Sequence, residues 1–322
     1  MKAIRVNSFG GPEVLQLQDR PDLSPTSSEV LVAVRAAGVN PVDTYIRSGN
    51  YGNRAVPPYT PGFDAAGTIT AASDETIAKY PHLSVGSRVY TYGSVTGCYA
   101  GQLLARPDQV WPLPDSLSFE QGACLGVVYL TAYQALFAKA NLRLGERVLV
   151  HGGSGGVGQA AIQFAVNCGC DVVATASTLA GQQLCRQSGA TAVLNHADPG
   201  YLDVLRGGPG FDVIVENLAN VNLNNDLTLL APRGRITIVG NRGTINTDPR
   251  LAMSRDASIH GMALFNATPD ELRKGHTAIA AGISRGFLRP TVHKTFPLAD
   301  AAKAHQEIMT APAAGKLILV TQ

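Results

Sequence analysis

The residues that decide the fold lie in the middle of the chain, where positions 148–158 read Val-Leu-Val-His-Gly-Gly-Ser-Gly-Gly-Val-Gly. Three apolar residues typical of a buried strand run into a glycine-rich turn, and an apolar segment long enough for a helix follows. Gly153, Gly155 and Gly158 match the spacing G-x-G-x-x-G, which is informative because it stands between a strand and a helix. A side chain at Gly155 would block a pyrophosphate, and one at Gly158 would push the helix off the strand. The turn is therefore predicted to bind the pyrophosphate of a dinucleotide at a helix N-terminus.

The sequence around this turn alternates between strand and helix patterns. Strands are predicted at 148–150, 172–175, 192–194, 211–215 and 235–239, with helices at 157–166, 179–187, 201–205 and 222–230. Continuous apolar runs are typical of strands buried on both faces, and their alternation with helices indicates parallel pairing. We therefore predict an α/β fold with a Rossmann-type, doubly wound parallel sheet, which the strand at 235–239 closes.

The first 120 residues or so have a different pattern. Strand candidates at 29–37, 67–72 and 87–92 are separated by turn signals such as Pro57-Pro58 and Pro61-Gly62, without long helices between them. This indicates a β-rich barrel or partly open sheet. Helical patterns follow at 119–140, where Gly122 and Gly126 are candidate breaks, from Thr268, and over 298–309, and a strand is predicted at 316–320.

Composition excludes several classes of protein. The 322 residues suggest two domains, and a net charge of +2 with 16% charged residues gives no electrostatic footprint for nucleic acid or a membrane surface. No apolar run approaches the roughly 20 residues of a membrane helix, and Met1–Val6 is typical of a strand rather than a signal peptide. The five cysteines are odd in number and irregular in spacing, which indicates reduced, apolar side chains. A cytoplasmic protein is expected.

The end of the second predicted strand bears on the choice of dinucleotide. An NAD site carries an Asp or Glu about 20 residues after the glycines to bind the ribose 2′-hydroxyl. Here the segment reads Ala174-Thr175-Ala176-Ser177-Thr178, without an acid that would repel a 2′-phosphate. Ser177 offers a hydroxyl, and His196, at the end of the third strand, is the candidate positive group. The alternative for His196 is a surface histidine without a ligand.

Several segments together carry a resemblance to a known family. They are 38–49 (GVNPVDTYIRSG), 58–67 (PYTPGFDAAG), 151–158 (HGGSGGVG), 218–223 (LANVNL) and 239–244 (VGNRGT). The chain resembles, over essentially its whole length, the zinc-free quinone oxidoreductases of the medium-chain dehydrogenase/reductase superfamily, the zeta-crystallin-like group. The resemblance implies a GroES-like domain over 1–120, to which 263–322 returns, and a Rossmann NADP-binding domain over 121–262.

The resemblance also implies site residues. The cofactor-binding positions are Tyr45, Ser154, Gly155, Gly156, Val157, Ser177, His196, Asn222, Val239, Gly240, Asn241, Arg242, Met262, Ala263 and Leu264. Tyr45 falls at the nicotinamide end, whereas Ser177 and His196 fall at the adenosine end. A Gly is common in the family at the position of Ser177, so its hydroxyl contact is an expectation for this sequence alone. Asn40 and Tyr45 are the catalytic candidates, as polar groups able to orient the ring or the acceptor oxygen; the alternative for Tyr45 is packing.

Zinc-dependent members of the superfamily present a Cys, a His-Glu pair and a distant Cys or Asp to the metal. The corresponding segments here read Gly38-Val39-Asn40-Pro41 and Gly62-Phe63-Asp64, and Cys98 stands alone where a four-cysteine lobe would be. Asparagine and phenylalanine are not zinc ligands. No metal is therefore expected.

The function implied is NADPH-dependent reduction of a quinone, an acceptor that needs little help from a Lewis acid because its reduction product is aromatic. The alternatives are reduction of enone or alkenal double bonds on the same scaffold, and a non-catalytic NADPH-binding protein with a structural or RNA-binding role. The partners expected are a small-molecule quinone or enone and further copies of the chain, as a homodimer or homotetramer; a membrane or nucleic acid is not expected.

Overall fold

The computed structural model describes residues 1–52, 54–312 and 314–321. It divides into two compact units. The first comprises Met1–Val127, Pro290–Ala311 and Lys316–Gln322, and the second comprises Val128–Arg289 and Pro312–Gly315. The boundaries proposed from the sequence were 120 and 262. The helix between residues 269 and 284 belongs to the second unit, because a Cβ at Gly275 would lie 2.7 Å from the Leu130 side chain.

The strands are β1 (Lys2–Val6), β2 (Leu15–Asp19), β3 (Val30–Val39), β4 (Asp64–Ala72), β5 (Arg88–Tyr92), β6 (Gln102–Ala105), β7 (Val110–Pro112), β8 (Arg147–Val150), β9 (Asp171–Thr175), β10 (Ala192–Leu194), β11 (Phe211–Glu216), β12 (Leu230–Ile238), β13 (Ser258–Gly261), β14 (Val292–Pro297) and β15 (Lys316–Val320). The α-helices are α1 (Pro41–Arg47), α2 (Asp74–Lys79), α3 (Phe119–Gly122), α4 (Gly126–Tyr133), α5 (Gly156–Asn167), α6 (Leu179–Gln187), α7 (Tyr201–Arg206), α8 (Ala219–Leu229), α9 (Pro249–Met253), α10 (Pro269–Ser284) and α11 (Ala301–Thr310).

The first unit is built on β-strands. Strands β1 and β2 form an antiparallel pair, and a larger sheet has the order β14-β15-β3-β4-β5-β7, with β6 pairing with β3. All its pairings are antiparallel except β14 with β15. Its core contains fully buried side chains such as Ile4, Val32, Ile69 and Leu103. The β-rich, GroES-like fold predicted for this part of the chain is confirmed.

The second unit contains a parallel sheet with the strand order β10-β9-β8-β11-β12-β13. Numbered from its first strand, this is 3-2-1-4-5-6, the order of the Rossmann fold, which the sequence predicted. The order reverses between β8 and β11, and ligands of such sheets bind in the crevice at the carboxyl ends of the strands at that point.

Two details differ from the sequence expectation. The strand at 235–239 does not close the sheet, because β13 pairs with β12; β13 has only four residues, none of them buried, and so lacks an apolar run. The apolar stretch 119–140 divides into α3, α4 and a π-helical segment over Gln134–Lys139. Gly126 starts α4 where a Cβ would lie 2.4 Å from the Asp64 carboxylate. Among the described residues, no helix combines the length and apolar character needed to cross a membrane.

Candidate functional site

The glycine-rich turn joins β8 to α5 in a tight arrangement. Gly152 has a φ of +62°, which favours glycine, and Gly155 is the N-cap of α5 with a φ of −70°. A Cβ at Gly158 would lie 2.4 Å from the Gly152 carbonyl oxygen, so only glycine permits this approach of helix and turn. Gly155 has no side chain, so no N-cap side chain occupies the first N–H groups of α5. This is the geometry that binds pyrophosphate in dinucleotide-binding folds.

The cofactor-binding residues predicted in the second unit lie beyond the carboxyl ends of its strands. Ser154, Gly155, Gly156 and Val157 follow β8, Ser177 follows β9, His196 follows β10, Asn222 lies in α8 after β11, Val239, Gly240, Asn241 and Arg242 follow β12, and Met262, Ala263 and Leu264 follow β13. Because all six strands are parallel, these positions share one edge of the sheet.

Hydrogen bonds draw the loops at this edge together. The N–H groups of Val239 and Gly240 both donate to the Glu216 carbonyl, at 2.8 and 3.2 Å, and a Cβ at Gly240 would lie 2.1 Å from the Asn217 carbonyl oxygen. The Arg242 N–H donates to Asn220 Oδ1 at 2.9 Å. The loops after β11 and β12 are thus held against one another at the switch point.

Ser177 and His196 lie beside each other on the other half of the edge. Thr175 of β9 pairs with Leu194 of β10, and Ser177 and His196 each follow this pair by two residues. Both side chains are exposed. Burial of part of the His196 ring and the nearby His151 lower the pKa of His196. It is therefore neutral at pH 7 unless an anion binds beside it.

Asn40, a catalytic candidate, belongs to a buried polar network of the first unit. Its Nδ2 donates to Asp64 Oδ2 at 2.9 Å, and its Oδ1 accepts from the Lys316 ammonium. Lys316 also donates to Asp64 Oδ2 at 2.7 Å, and Asp64 Oδ1 accepts the Val127 N–H at 2.7 Å. The Asn40 side chain is therefore engaged with its neighbours, which fits a positioning role better than direct contact with an acceptor.

The same network shows whether the residues around Asp64 could bind a zinc ion. Asp64 has both oxygens hydrogen-bonded, and the Lys316 ammonium, only 4% exposed, already balances its charge. A divalent cation would be repelled by this ammonium, and Asn40 and Phe63 offer no zinc-ligand atoms. Burial raises the pKa of the Cys98 thiol to about 12, so no thiolate is present there either. These residues do not fit a catalytic zinc ion.

Helix α1, which carries Tyr45, is anchored by a directed chain of hydrogen bonds. Arg47 Nη1 lies 3.3 Å from His305 Nδ1, His305 Nε2 lies 3.1 Å from the Tyr99 hydroxyl, and that hydroxyl donates to Asp43 Oδ2 at 2.9 Å. Because a guanidinium only donates, His305 accepts at Nδ1 and donates from Nε2. Burial and the Arg47 charge lower the pKa of His305 to about 3, so the ring is neutral.

Tyr45 itself lies on the less buried side of α1. Its ring is half-buried and stacks against that of Tyr51, with the centroids 6.3 Å apart and the planes at 27°. The buried anchors of α1, Asp43 and Arg47, thus leave Tyr45 at its surface. A half-buried aromatic ring on an anchored helix suits contact with a flat ligand ring.

The sequence did not single out three buried side chains at the carboxyl edge of the second sheet. His151, Glu216 and Asp226 place nitrogen and oxygen atoms within 4.8 Å of one another. His151 Nε2 lies 2.8 Å from Asp226 Oδ1, which uses one atom of each in a hydrogen bond rather than leaving both to an ion. His151 stood in the quoted glycine segment, but no spacing links it to residues 65 and 75 positions later.

Comparison with known proteins agrees with this geometry. The model of the alcohol dehydrogenase GroES-like domain matches residues 26–115, and that of the zinc-binding dehydrogenase matches residues 156–281. A quinone oxidoreductase of Homo sapiens is 45% identical over 327 residues, covering 99% of this chain and 98% of the relative. One from Pseudomonas aeruginosa is 30% identical and covers 99% of each.

Solved structures give the same result. The Escherichia coli quinone oxidoreductase complexed with NADPH superposes with a TM-score of 0.88 at 27% identity, covering all of both chains. A mycobacterial protein complexed with NADPH superposes with a TM-score of 0.89 at 30% identity, again over all of both chains.

Fold and glycine turn together define a dehydrogenase or reductase of the medium-chain superfamily, with a GroES-like and a Rossmann domain. Within that class the chain belongs to the quinone oxidoreductase family, zeta-crystallin-like group, which confirms the resemblance drawn from the sequence.

The first testable prediction concerns the turn. Replacing Gly155 by Val should abolish cofactor binding, because the side chain would occupy the path of the pyrophosphate. The fold should survive, since a φ of −70° suits any residue. Fluorescence titration with NADPH measures binding, and circular dichroism checks the fold. Gly101→Val, in the first unit, is the matched control, because a Cβ there meets no atom closer than 3.7 Å. An unchanged affinity of the Gly155 variant would contradict the role of the turn.

The second prediction concerns the buried ion pair. Lys316→Met should lower the free energy of unfolding by about 3–5 kcal/mol, because it leaves the Asp64 carboxylate buried without a cation. Lys2→Met, which removes the exposed partner of Asp19, should have little effect. Adding Asp64→Asn to Lys316→Met should recover part of the loss. Urea unfolding measures all of these, and equal effects at Lys316 and Lys2 would contradict the argument.

Proposed function

We propose that this protein is an NADPH-dependent quinone oxidoreductase that works without a metal. The observation that carries the proposal is the glycine turn at the switch point of a 3-2-1-4-5-6 parallel sheet, with the remaining cofactor-binding candidates beyond the carboxyl ends of the same strands. Relatives of 45% identity over the whole chain are quinone oxidoreductases, and two structural neighbours were solved with NADPH.

The second unit fits the cofactor in several respects. The tight approach at Gly158 brings the N-terminus of α5 to the turn, and Ser154, Gly155, Gly156 and Val157 would hold the pyrophosphate. Ser177 and His196 would contact the adenosine end, and the segment 174–178 carries no carboxylate that would oppose a 2′-phosphate. Asn222, Val239–Arg242 and Met262–Leu264 would line the remainder. NADPH supplies a hydride from the C4 atom of its nicotinamide when it is bound.

The protein's own contribution to the reaction is mainly orientation. We assign Tyr45 to the placement of the nicotinamide and Asn40 to a supporting role, as its amide ties α1 to Asp64 and Lys316. A quinone accepts hydride readily because its reduction product is aromatic, so placement contributes more than polarisation of the acceptor. No protein proton donor is required, because water can protonate the product.

The finer features of the protein are proposals as well. We propose that the first unit is the GroES-like domain and the second unit the Rossmann domain, that the chain forms a homodimer or homotetramer, and that it acts in the cytoplasm. Sedimentation equilibrium of the purified protein measures the oligomeric state.

The third prediction tests the function and its independence of metal. Purified protein should oxidise NADPH in the presence of ortho- or para-quinones, faster than with enones or alkenals. Elemental analysis should find no stoichiometric zinc, and dialysis against a chelator should leave turnover unchanged, because the Lys316 ammonium takes the place of a cation beside Asp64.

Three results would contradict the proposal. Turnover with enones but not with quinones would make the protein a double-bond reductase. One zinc ion per chain, whose removal abolishes turnover, would show that the charge argument at Asp64 is wrong. An NADPH-binding protein with neither activity would be a non-catalytic relative.

The fourth prediction concerns Tyr45. If its hydroxyl were an essential general acid, Tyr45→Phe should reduce turnover by about 10²–10⁴-fold. We expect a loss below tenfold for Phe and a larger loss for Ala, because Ala also removes the ring that positions the nicotinamide. Steady-state kinetics with a quinone measures both, and Tyr80→Phe in the same unit is the control. A thousandfold loss for Phe would instead identify the hydroxyl as the acid, and full activity of Ala would leave Tyr45 as a packing residue.

A further inference from the structure

A row of hydrogen-bonded side chains follows the carboxyl edge of four adjacent strands in the second unit. His196 Nδ1 lies 3.2 Å from Thr175 Oγ1, Thr175 Oγ1 lies 3.4 Å from His151 Nδ1, and His151 Nε2 lies 2.8 Å from Asp226 Oδ1. Glu216, at the end of β11, places Oε2 3.8 Å from the same His151 nitrogen. The row thus leads from the exposed His196 to two carboxyls that are fully buried.

The Thr175 hydroxyl couples the two histidines. It has one proton to donate and two lone pairs to accept with. The Gly152 N–H already donates to it at 3.2 Å. The single hydroxyl proton of Thr175 cannot be donated to both ring nitrogens. The one lone pair left on its oxygen cannot accept an N–H group from both histidines either. One histidine therefore accepts from Thr175 at Nδ1 while the other donates to Thr175 from Nδ1, so their tautomers are opposite.

The carboxyl pair decides which histidine donates. Glu216 Oε1 accepts N–H groups from Leu218 and Asn222, and Asp226 Oδ1 pairs with His151, but Glu216 Oε2 and Asp226 Oδ2 have no partner among the described residues. Burial raises the pKa of both carboxyls. One proton held between these two free oxygens satisfies both and leaves Asp226 Oδ1 as an acceptor.

The tautomers then follow in order along the row. His151 donates from Nε2 to Asp226 and accepts at Nδ1 from Thr175, so His196 must donate its Nδ1 proton to Thr175. The nitrogen of neutral His196 that remains for a ligand, Nε2, then carries a lone pair.

We propose that Glu216 and Asp226, acting through His151 and Thr175, hold His196 in this tautomer and thereby make NADPH binding depend on the uptake of one proton at His196. A bare Nε2 repels a 2′-phosphate, whereas the imidazolium donates to it. The same bare Nε2 accepts a hydrogen bond from the 2′-hydroxyl of NADH, so NADH binds without proton uptake. This inference rests on the proposed function and names the residues that position His196.

The sign of the pH dependence follows from the pKa of His196. Burial and His151 lower this pKa in the free protein, and a bound phosphate dianion raises it. Between the two values, NADPH affinity falls with rising pH, by roughly tenfold per pH unit. The Tyr201 phenol of α7 also faces the carboxyls, and its pKa is raised by burial and by both carboxyls. Arg206, beyond it, is bound to Asp203 and Asn225.

The experiment measures proton uptake directly. Isothermal titration calorimetry with NADPH and with NADH at pH 8, in buffers of different ionisation enthalpy, gives the protons taken up per ligand bound. At this pH a phosphate with a second pKa of about 6 is already ionised, so uptake reports on the protein. Wild-type protein should take up a measurable fraction of a proton, at most one, with NADPH and close to none with NADH.

Variants of Thr175 and Asp226 test the row. Thr175→Val removes the hydroxyl, so His196 no longer has to donate from Nδ1 and a neutral ring can turn an Nε2–H group to the phosphate. We expect proton uptake to fall below half of the wild-type value and the pH dependence of NADPH affinity to flatten. Thr175→Ser keeps the hydroxyl and should behave as wild type. Asp226→Asn can donate from its amide nitrogen to Glu216 Oε2 while its oxygen still accepts from His151 Nε2. It therefore keeps the direction of the row and should behave as wild type.

The outcomes separate this inference from the proposed function. Failure of the wild-type protein to bind NADPH would contradict the proposed function. Wild-type NADPH binding without proton uptake, or Thr175→Val with wild-type uptake and an unchanged pH profile, would overturn the inference alone. If Thr175→Val only loosened the turn, the affinities for NADPH and NADH would fall alike and the number of protons taken up would stay unchanged. That result would also contradict the inference.

Discussion

The close approach of α5 to the glycine turn is the constraint on which the cofactor unit depends. At Gly158 the helix lies so near the turn that a Cβ would stand 2.4 Å from the Gly152 carbonyl oxygen. This contact directs the N-terminus of α5 toward the crevice between β8 and β11, and the same turn places His151 among the buried carboxyls. The Gly152 N–H, in turn, occupies one lone pair of Thr175. Phosphate binding and the row of side chains therefore share one backbone geometry.

Much of the fold could be predicted from the sequence because its signals are local. The strands of the parallel sheet are continuous apolar runs, and the glycine spacing reflects contacts between residues a few positions apart. Strand β13 was missed because an edge strand of four residues with no buried side chain carries no such run. The division of 119–140 was signalled by its glycines, although the reason for Gly126, the Asp64 carboxylate, lies about 60 residues away.

The candidate site could be predicted only in part, for a related reason. Ser177 and His196 could be proposed from the sequence because they follow strands, and the structure places them after neighbouring strands; their contact with a cofactor stays a prediction. The partners of Asn40 could not be proposed in this way: Lys316 lies 276 positions away, and no spacing rule connects a lysine in the last strand to an asparagine before the first helix. His151, Glu216 and Asp226 meet only when β8, β11 and α8 are assembled. Buried polar groups far apart in sequence are therefore where a structure adds most.

Each unit contains a row of hydrogen-bonded side chains, from Arg47 to Asp43 in the first and from His196 to Asp226 in the second. The same count of donors and acceptors applies to both rows, but the groups at their ends differ. In the first unit the chain begins at Arg47, which cannot lose its proton, so the His305 tautomer is fixed at every accessible pH. Burial raises the pKa of Asp43, at the other end, to about 7. Protonation there would use Oδ1, the oxygen without a partner, and would leave Tyr99 donating to Oδ2 as before. In the second unit the row begins at two buried carboxyls, Glu216 and Asp226, and ends at His196. The direction of the hydrogen bonds that place α1 is thus the same in both protonation states of Asp43, whereas the row of the second unit reaches an exposed histidine whose charge can change.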